Sequence, residues 1–533
     1  MNRAGCSSPP PAGRPMRGAT RVGWCLALSA IAACGSGESI LDAGNEPLPT
    51  AAATTTTSTL PAGPPATTPD GATVPPPPVV TTAAPTVPPT TEAPLDAFPP
   101  CPTELLDGAA GPVEITYWHG MNANNEQALQ ALTDTYNASQ GKVRVTLQNQ
   151  GGYQEVFDKY YQSGSSARPD LVMFPEWGFQ QAIDSGTFVP AGACIEASGF
   201  DTATLLPQAL RAYAQGGVQW GLPFNVSNPL VYYNKIAFTA AGLDPQRPPA
   251  TFDELRQFSQ QLVDAGVAGA GLAYDVNFDG GGGWYIEQWF ANSGELLVNN
   301  LNGRAEPATE VLIDGPTGQR LFNELQGLAR DGLLVNVGDN ASGTDAFLKL
   351  ADPNSPAAMT IGSSASLGTV IAVLGGGLIP GLTPGDVGVG PLPSFSGVPS
   401  AVVGGAANYV VAGDEIKRAA AWDFMAYLVS AQAQSSWATA TGYVPIANGA
   451  SELEPLATVY RDDPRFRVAY DTLVNSPVDA AHAGATIGPH RQVRVQLASA
   501  LAAVFGGADV GATLADAAIQ MDALIQQYTA LNQ

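Results

Sequence analysis

The chain has 533 residues, enough for two or more domains with a sizeable core. It is acidic, with 23 Lys plus Arg against 47 Asp plus Glu for a net charge of −24. This excludes a phosphate-neutralising nucleic-acid face and a polybasic membrane surface, and suits a dispersed, soluble protein. Three His and five Cys, scattered along the chain, give no ligand spacing for a metal centre or cofactor.

Arg3, Arg14, Arg17 and Arg21 precede an apolar run over residues 22–33, too short for a membrane span of about 20 residues and shaped like a secretory signal. Ile31-Ala32-Ala33-Cys34 matches the pattern of a bacterial lipobox, which predicts a signal over 1–33 and lipidation of Cys34. The expected location is extracytoplasmic, held to the cell membrane by the lipid alone. Residues 34–100 are mostly Pro, Thr and Ala, too poor in large apolar groups to offset the entropy of ordering, and read as a disordered or extended stalk. Cys101 and Cys194 remain in an oxidising compartment, as a possible disulfide or as two free thiols.

The folded body begins with a strand in which Val113, Ile115 and Tyr117 alternate with polar residues, ending at Trp118-His119-Gly120. Leu129, Leu132 and Tyr136 then mark a helix, Val143, Val145 and Leu147 a second strand, and residues 171–174 a third, wholly apolar one. This β-α-β-α-β order predicts a parallel sheet, with ligand beyond the carboxyl ends of its strands, where Tyr153 and Glu176 fall. His119 reads as a ring packed at a strand end. Residues 221–235 read as a stiff crossing between two bodies: Pro223 and Pro229 bracket a polar turn holding Asn225, Ser227 and Asn228, and 230–233 has strand character. Thr251 to Glu254 is a capping box opening a helix. Further on come an aromatic helix start at Trp284, a buried strand delivering Gly362-Ser363-Ser364, and strands at 387–392 and 401–411, the latter broken by Gly404-Gly405. Helices follow at 415–429, around Val493 to Val504 with Arg494 beside the apolar stripe, and at 514–528, with the turn Thr441-Gly442-Tyr443 between.

Tyr117 to Met121, Gly221 to Lys235, Ala241-Gly242-Leu243-Asp244-Pro245, Met359 to Leu367, Gly404-Gly405-Ala406, Thr441 to Ile446 and Gln492 to Val495 together resemble the extracellular solute-binding proteins of bacterial ABC importers, over roughly the 430 residues of the body. The nearest pattern is that of members taking sn-glycerol 3-phosphate or glycerophosphodiesters. The resemblance implies an α/β, two-lobed type II periplasmic-binding-protein fold closing by hinge motion. Lobe one would span about 104–224 and 394–430, and lobe two about 225–393 and 431–533, within a body over 101–533. It also implies a monomer without catalysis that delivers a small molecule to permease subunits. By the same resemblance Tyr153, Glu176, Ser227, Ser363, Gly405, Tyr443 and Arg494 contact ligand.

The chemistry of these residues agrees. Arg494 would grip a phosphate through two nitrogens, Ser227, Tyr443, Tyr153 and the Gly405 amide would donate to it, the serine-rich bend at Ser363 would cradle an anion, and Glu176 would accept from polyol hydroxyls. Trp284 and Trp289 would floor the cleft. One stretch departs from the pattern: Asn277-Phe278-Asp279-Gly280-Gly281-Gly282-Gly283-Trp284 keeps one of two paired tryptophans. The space opened there suits a larger head group, such as that of glycerophosphocholine, with Asp279 or an aromatic near its cation. The same scaffold could take an oligosaccharide. An exported hydrolase is the third alternative, but no convincing acid pair or metal cluster is present for it.

Overall fold

The computed structural model describes Leu95, residues 98–340 and residues 343–532. The signal, Cys34 and all but the end of the stalk lie outside the described residues. Among the described residues thirteen strands form two large sheets and a small hairpin. The first sheet holds β1 (Val113–His119), β2 (Val143–Asn149), β3 (Leu171–Pro175) and β4 (Phe188–Val189). The hairpin is β5 (Ala214–Gln215) and β6 (Val218–Gln219), and β7 (Leu222–Ser227) returns to the first sheet. The second sheet holds β8 (Pro229–Asn234), β9 (Ala270–Tyr274), β10 (Leu334–Asn336), β11 (Ala357–Ser363) and β12 (Val387–Pro391). Strand β13 (Gly404–Val411) then re-enters the first.

Strand order in the first sheet is β2-β1-β3-β13-β4, with β7 also on β13. The β1–β2 and β1–β3 pairs are parallel, and β13 runs antiparallel to its neighbours. All five residues of β3 are buried, the pattern of a strand covered on both faces. The second sheet runs β10-β9-β11-β8-β12. Along β8 the side chains alternate between two cores: Leu230 and Tyr232 join the buried cluster of the first sheet, while Val231 and Tyr233 join a second cluster with Leu272, Trp289, Leu325 and Leu497. Residues beyond the helix Glu415–Leu428, among them Trp437, Val444 and Leu473, also pack into the first cluster.

The polar turn expected between the two prolines is mostly strand. Leu222 to Ser227 pairs with β13, and the chain needs only Asn228 to pass into the second sheet. Pro223 is tolerated because β7 is an edge strand, and the proline sits opposite Ala407 where the register shifts. Pro229 opens β8, again a position where a missing N–H costs little. A further crossing, from β12 in the second sheet to β13 in the first, runs through residues 392–403. The strand expected from 401 begins at Gly404, because Val402 instead exchanges backbone bonds with the amide of Gln288.

Local signals account for the helix starts. Thr251 Oγ1 accepts from the Glu254 amide at 3.0 Å, whereas the Glu254 carboxylate turns to the Ala250 amide and Arg247, so half of the capping box forms. Asn234 caps the helix Lys235–Ala240 through Ile236 and Ala237. Cys101 and Cys194 form a disulfide, which ties the start of the body to the helix Ala191–Ser198.

Candidate ligand-binding site

The ends of β3, β7 and β13 meet on one side of the first sheet. Pro175 lies opposite Ala406, Ala406 opposite Asn225, and Gly404 opposite Ser227. Glu176, the residue after β3, therefore emerges level with Gly405 and the crossing. Gly405 has φ +105°, and a Cβ there would lie 1.6 Å from the Asn225 carbonyl oxygen, so only glycine allows β7 to approach so closely. Its carbonyl accepts from Tyr213 Oη at 3.1 Å. Tyr153 opens the helix Tyr153–Gln162 and takes a hydrogen bond on its hydroxyl from Asn225 Nδ2.

Asn228 is fixed on both sides. Its amide donates to Ser364 Oγ at 3.3 Å, its carbonyl accepts from the Ser364 amide at 2.8 Å, and its side chain donates to the Ala469 carbonyl at 2.7 Å. Ser363 sits at the end of β11 opposite Pro229, its Oγ accepting from the Ala365 amide. Gly442, left-handed at φ +96°, turns the chain past Ser364 and brings Tyr443 onto the face of Trp437, with ring centroids 5.3 Å apart. The hydroxyl of Ser227 is fully buried and meets no hydrogen-bond partner among the described residues.

Arg494 sits near the start of the helix His490–Phe505 and is fully buried. Its Nε and Nη2 face the two oxygens of Glu287 at 2.8 and 3.2 Å. Its Nη1 faces Glu176 at 2.9 Å and Asp279 at 3.5 Å. The two-point grip that sequence reasoning assigned to a phosphate is thus held by Glu287, a residue that reasoning missed. The signal was present: Glu287 is the lone charge in the buried run Trp284 to Ala291, and an acid in such a place needs a cation. His490, one turn before Arg494, donates from Nε2 to the same carboxylate at 3.0 Å.

One guanidinium faces three carboxylates here, Glu176 and Glu287 buried and Asp279 half-buried. Burial alone would raise Glu287, but Arg494 and His490 outweigh it and hold its carboxyl below the usual range. Burial holds Glu176 well above that range against the pull of Arg494, with Asp279 and Glu287 adding to the rise. Burial also works against the charge of Arg494, yet Glu287 and Glu176 outweigh it and raise the guanidinium further. His490 is lowered by burial and stays neutral.

Asp279 and Trp284 also line a cavity of about 30 Å³ together with Asp275, Tyr285, Ser363 and Ser366. Burial pushes Asp275 up to about 6. Trp284 Nε1 is buried without a partner among the described residues. Trp289 does not join it: its indole donates to the Pro393 carbonyl and packs on Phe252 in the second core. His119 is buried at the end of β1 with Nδ1 accepting from the Met121 amide. The predicted residues thus fall into two groups: Tyr153, Ser227, Gly405 and Tyr443 around the crossing, and Glu176, Arg494, Trp284 and Ser363 around the acids and the cavity. At the rim, Arg491 meets Asp158 at 3.0 Å, Tyr528 meets Asp184 at 2.7 Å and Gln215 meets the Gly303 carbonyl at 3.1 Å.

Among the described residues no helix is long and apolar enough to cross a membrane, and no group of His, Cys, Asp and Glu has metal-site geometry. A family profile described as bacterial extracellular solute-binding protein matches residues 131–467. The sn-glycerol-3-phosphate-binding periplasmic protein UgpB of Pectobacterium atrosepticum is 27% identical over 431 residues, 79% of this chain and 93% of that one. Its counterpart in Brucella melitensis is 25% identical over 423 residues, 76% and 92% of the two chains. Among solved structures, UgpB from Mycobacterium tuberculosis in complex with glycerophosphocholine aligns with a TM-score of 0.63 at 22% identity, covering 79% of this chain and 99% of that one. The GacH receptor of Streptomyces glaucescens aligns with a TM-score of 0.62 at 19% identity, covering 78% and 99%. The fold is the mixed α/β, type II periplasmic-binding-protein fold of these structures.

Proposed function

The chain belongs to the bacterial extracellular solute-binding protein family, and we propose that it captures sn-glycerol 3-phosphate or a glycerophosphodiester such as glycerophosphocholine at the junction of its two sheets and hands it, unchanged, to the permease of an ABC importer. The observation that carries this is the fully buried Arg494 on Glu176, with the unpartnered hydroxyl of Ser227 at the crossing. Arg494 supplies the positive charge that a buried phosphate needs and Ser227 a free hydroxyl donor, the phosphate replacing a carboxylate on the guanidinium. The relatives named for glycerol-3-phosphate binding share this length of chain and support the same ligand class. In this proposal the protein acts as a monomer, anchored through a lipid on Cys34.

Calorimetric titration of the purified protein with glycerol 3-phosphate, glycerophosphocholine and a malto-oligosaccharide tests the assignment. Micromolar or tighter binding to a phosphate ligand is expected. Binding to the oligosaccharide alone would replace the phosphate assignment with a carbohydrate one and leave the fold and family unaffected.

A further inference from the structure

The carboxylates around Arg494 grip it unevenly. Glu287 holds Nε at 2.8 Å and Nη2 at 3.2 Å and is itself held by His490 at 3.0 Å. Glu176 meets Nη1 at 2.9 Å, and beyond that its oxygens have no hydrogen-bond partner in another residue among the described residues. Glu176 follows Pro175, which lies opposite Ala406, while Ser227 lies opposite Gly404 on the other side of β13. Glu176 therefore emerges level with Gly405, one register position from the Ser227 hydroxyl. A phosphate bonded to both Ser227 and Arg494 would take the place of Glu176, the buried carboxylate held by fewest bonds.

Resting on the glycerophosphate assignment above, we infer that Glu176 couples ligand capture to a proton: the phosphate displaces it from Arg494, and the displaced carboxylate binds one proton from solvent and donates that O–H to a phosphate oxygen. Arg494 is one cation facing three acids, and a phosphate adds a further negative charge. A carboxylate fully buried beside a phosphate, with its guanidinium taken, is costlier than the neutral acid. Ionised, it only accepts; protonated, it has the donor that a phosphate oxygen uses. Burial already holds Glu176 above the ordinary glutamate range, Asp279 and Glu287 push it the same way, and Arg494 is the one charge pulling it down. Losing Arg494 therefore drives the proton on. The neighbouring groups are poorer places for it. Glu287 keeps Arg494 and His490, burial disfavours a charge on His490, Asp279 is 16% exposed and stays within reach of water, and Arg491 faces Asp158 at 3.0 Å. The Tyr153 hydroxyl is already held by Asn225. A neutral oligosaccharide brings no charge to answer and would need no proton.

The test is calorimetric titration of the wild-type protein with glycerophosphocholine, a diester with no titrating proton of its own, between about pH 5 and about pH 10 in buffers of different ionisation enthalpy. Glycerol 3-phosphate serves as second ligand above about pH 8, where its phosphate is fully ionised. The expected result is uptake of up to about one proton per ligand, with an association constant falling by up to about tenfold per pH unit over the same window. Both effects should vanish in Glu176→Gln, whose amide donates but does not titrate, and persist in Glu176→Asp. Phosphate binding by the wild type without proton uptake at any pH would overturn the inference and leave the glycerophosphate assignment standing, whether or not the variants fold. Uptake that persists in Glu176→Gln would also overturn it. Failure of both ligands to bind would overturn the inference and the assignment together.

Discussion

Ser227→Ala separates a hydroxyl kept for ligand from one kept for folding. The Ser227 hydroxyl is fully buried at the end of β7 and has no hydrogen-bond partner among the described residues. Leaving such a group unpaired costs about 1–3 kcal/mol, whereas replacing it by hydrogen removes only one small atom's packing. The ligand-free variant is therefore expected to be as stable as the wild type or up to about 1 kcal/mol more stable, a rise in melting temperature on the order of 1 °C for a chain of this size. If the hydroxyl serves ligand, the same change weakens binding by about 1–2 kcal/mol, roughly five- to thirtyfold. Differential scanning calorimetry without ligand and titration with the best phosphate ligand supply the two numbers. A fall in melting temperature of several degrees with unchanged affinity would refute the reasoning, because it would place the hydroxyl in the fold.

Glu176→Gln mimics the protonated acid, and at pH 7 it is expected to leave stability unchanged or slightly higher. A raised native pKa means that the native state binds more protons than the unfolded one between the ordinary glutamate range and the raised value, so this contribution falls as pH rises through that window. Asp275, raised to about 6, acts in the same direction between its ordinary range and about pH 6. Urea unfolding at pH 5 and pH 7.5 should show the wild type gaining stability at the lower pH and Glu176→Gln gaining less; equal slopes would contradict the charge assignment. Reduction of the Cys101–Cys194 bridge, which spans 93 residues of sequence, should lower stability by about 4 kcal/mol, seen as a drop in the denaturation midpoint with dithiothreitol. Gly405→Ala, with its Cβ forced against the Asn225 carbonyl, should lose more than about 3 kcal/mol, measured by the same unfolding curves.

The fold was largely legible because its signals are local. The apolar run of β3, the alternation in β1 and β2 and the spacing of Leu129, Leu132 and Tyr136 each state which faces must be buried. The crossing was half legible: two prolines read as a turn, but an edge strand with a register shift can hold one of them, and pairing to β13 is settled by residues 177 to 186 positions away. Within the site, residue types could be read but partners could not. Arg494 was read near a helix start, where it lies, yet its partner Glu287 is 207 residues away, and nothing local says whether an arginine meets a ligand or another side chain. Likewise Trp284 and Trp289 look alike in sequence, and only the packing of Phe252 and the Pro393 carbonyl sends the second into the core.

Only Asn228 separates β7 of the first sheet from β8 of the second, followed by a proline of fixed φ and held by Ser364 and Ala469. Ser227 and Ser363 flank it, so a ligand held there would touch both sheets at their shortest covalent link. Arg491–Asp158 and Tyr528–Asp184 instead join elements more than 300 residues apart in sequence. Were the sheets to turn against each other about this link, those two pairs would break while contacts beside Asn228 stayed, so their loss would report opening rather than what has been caught.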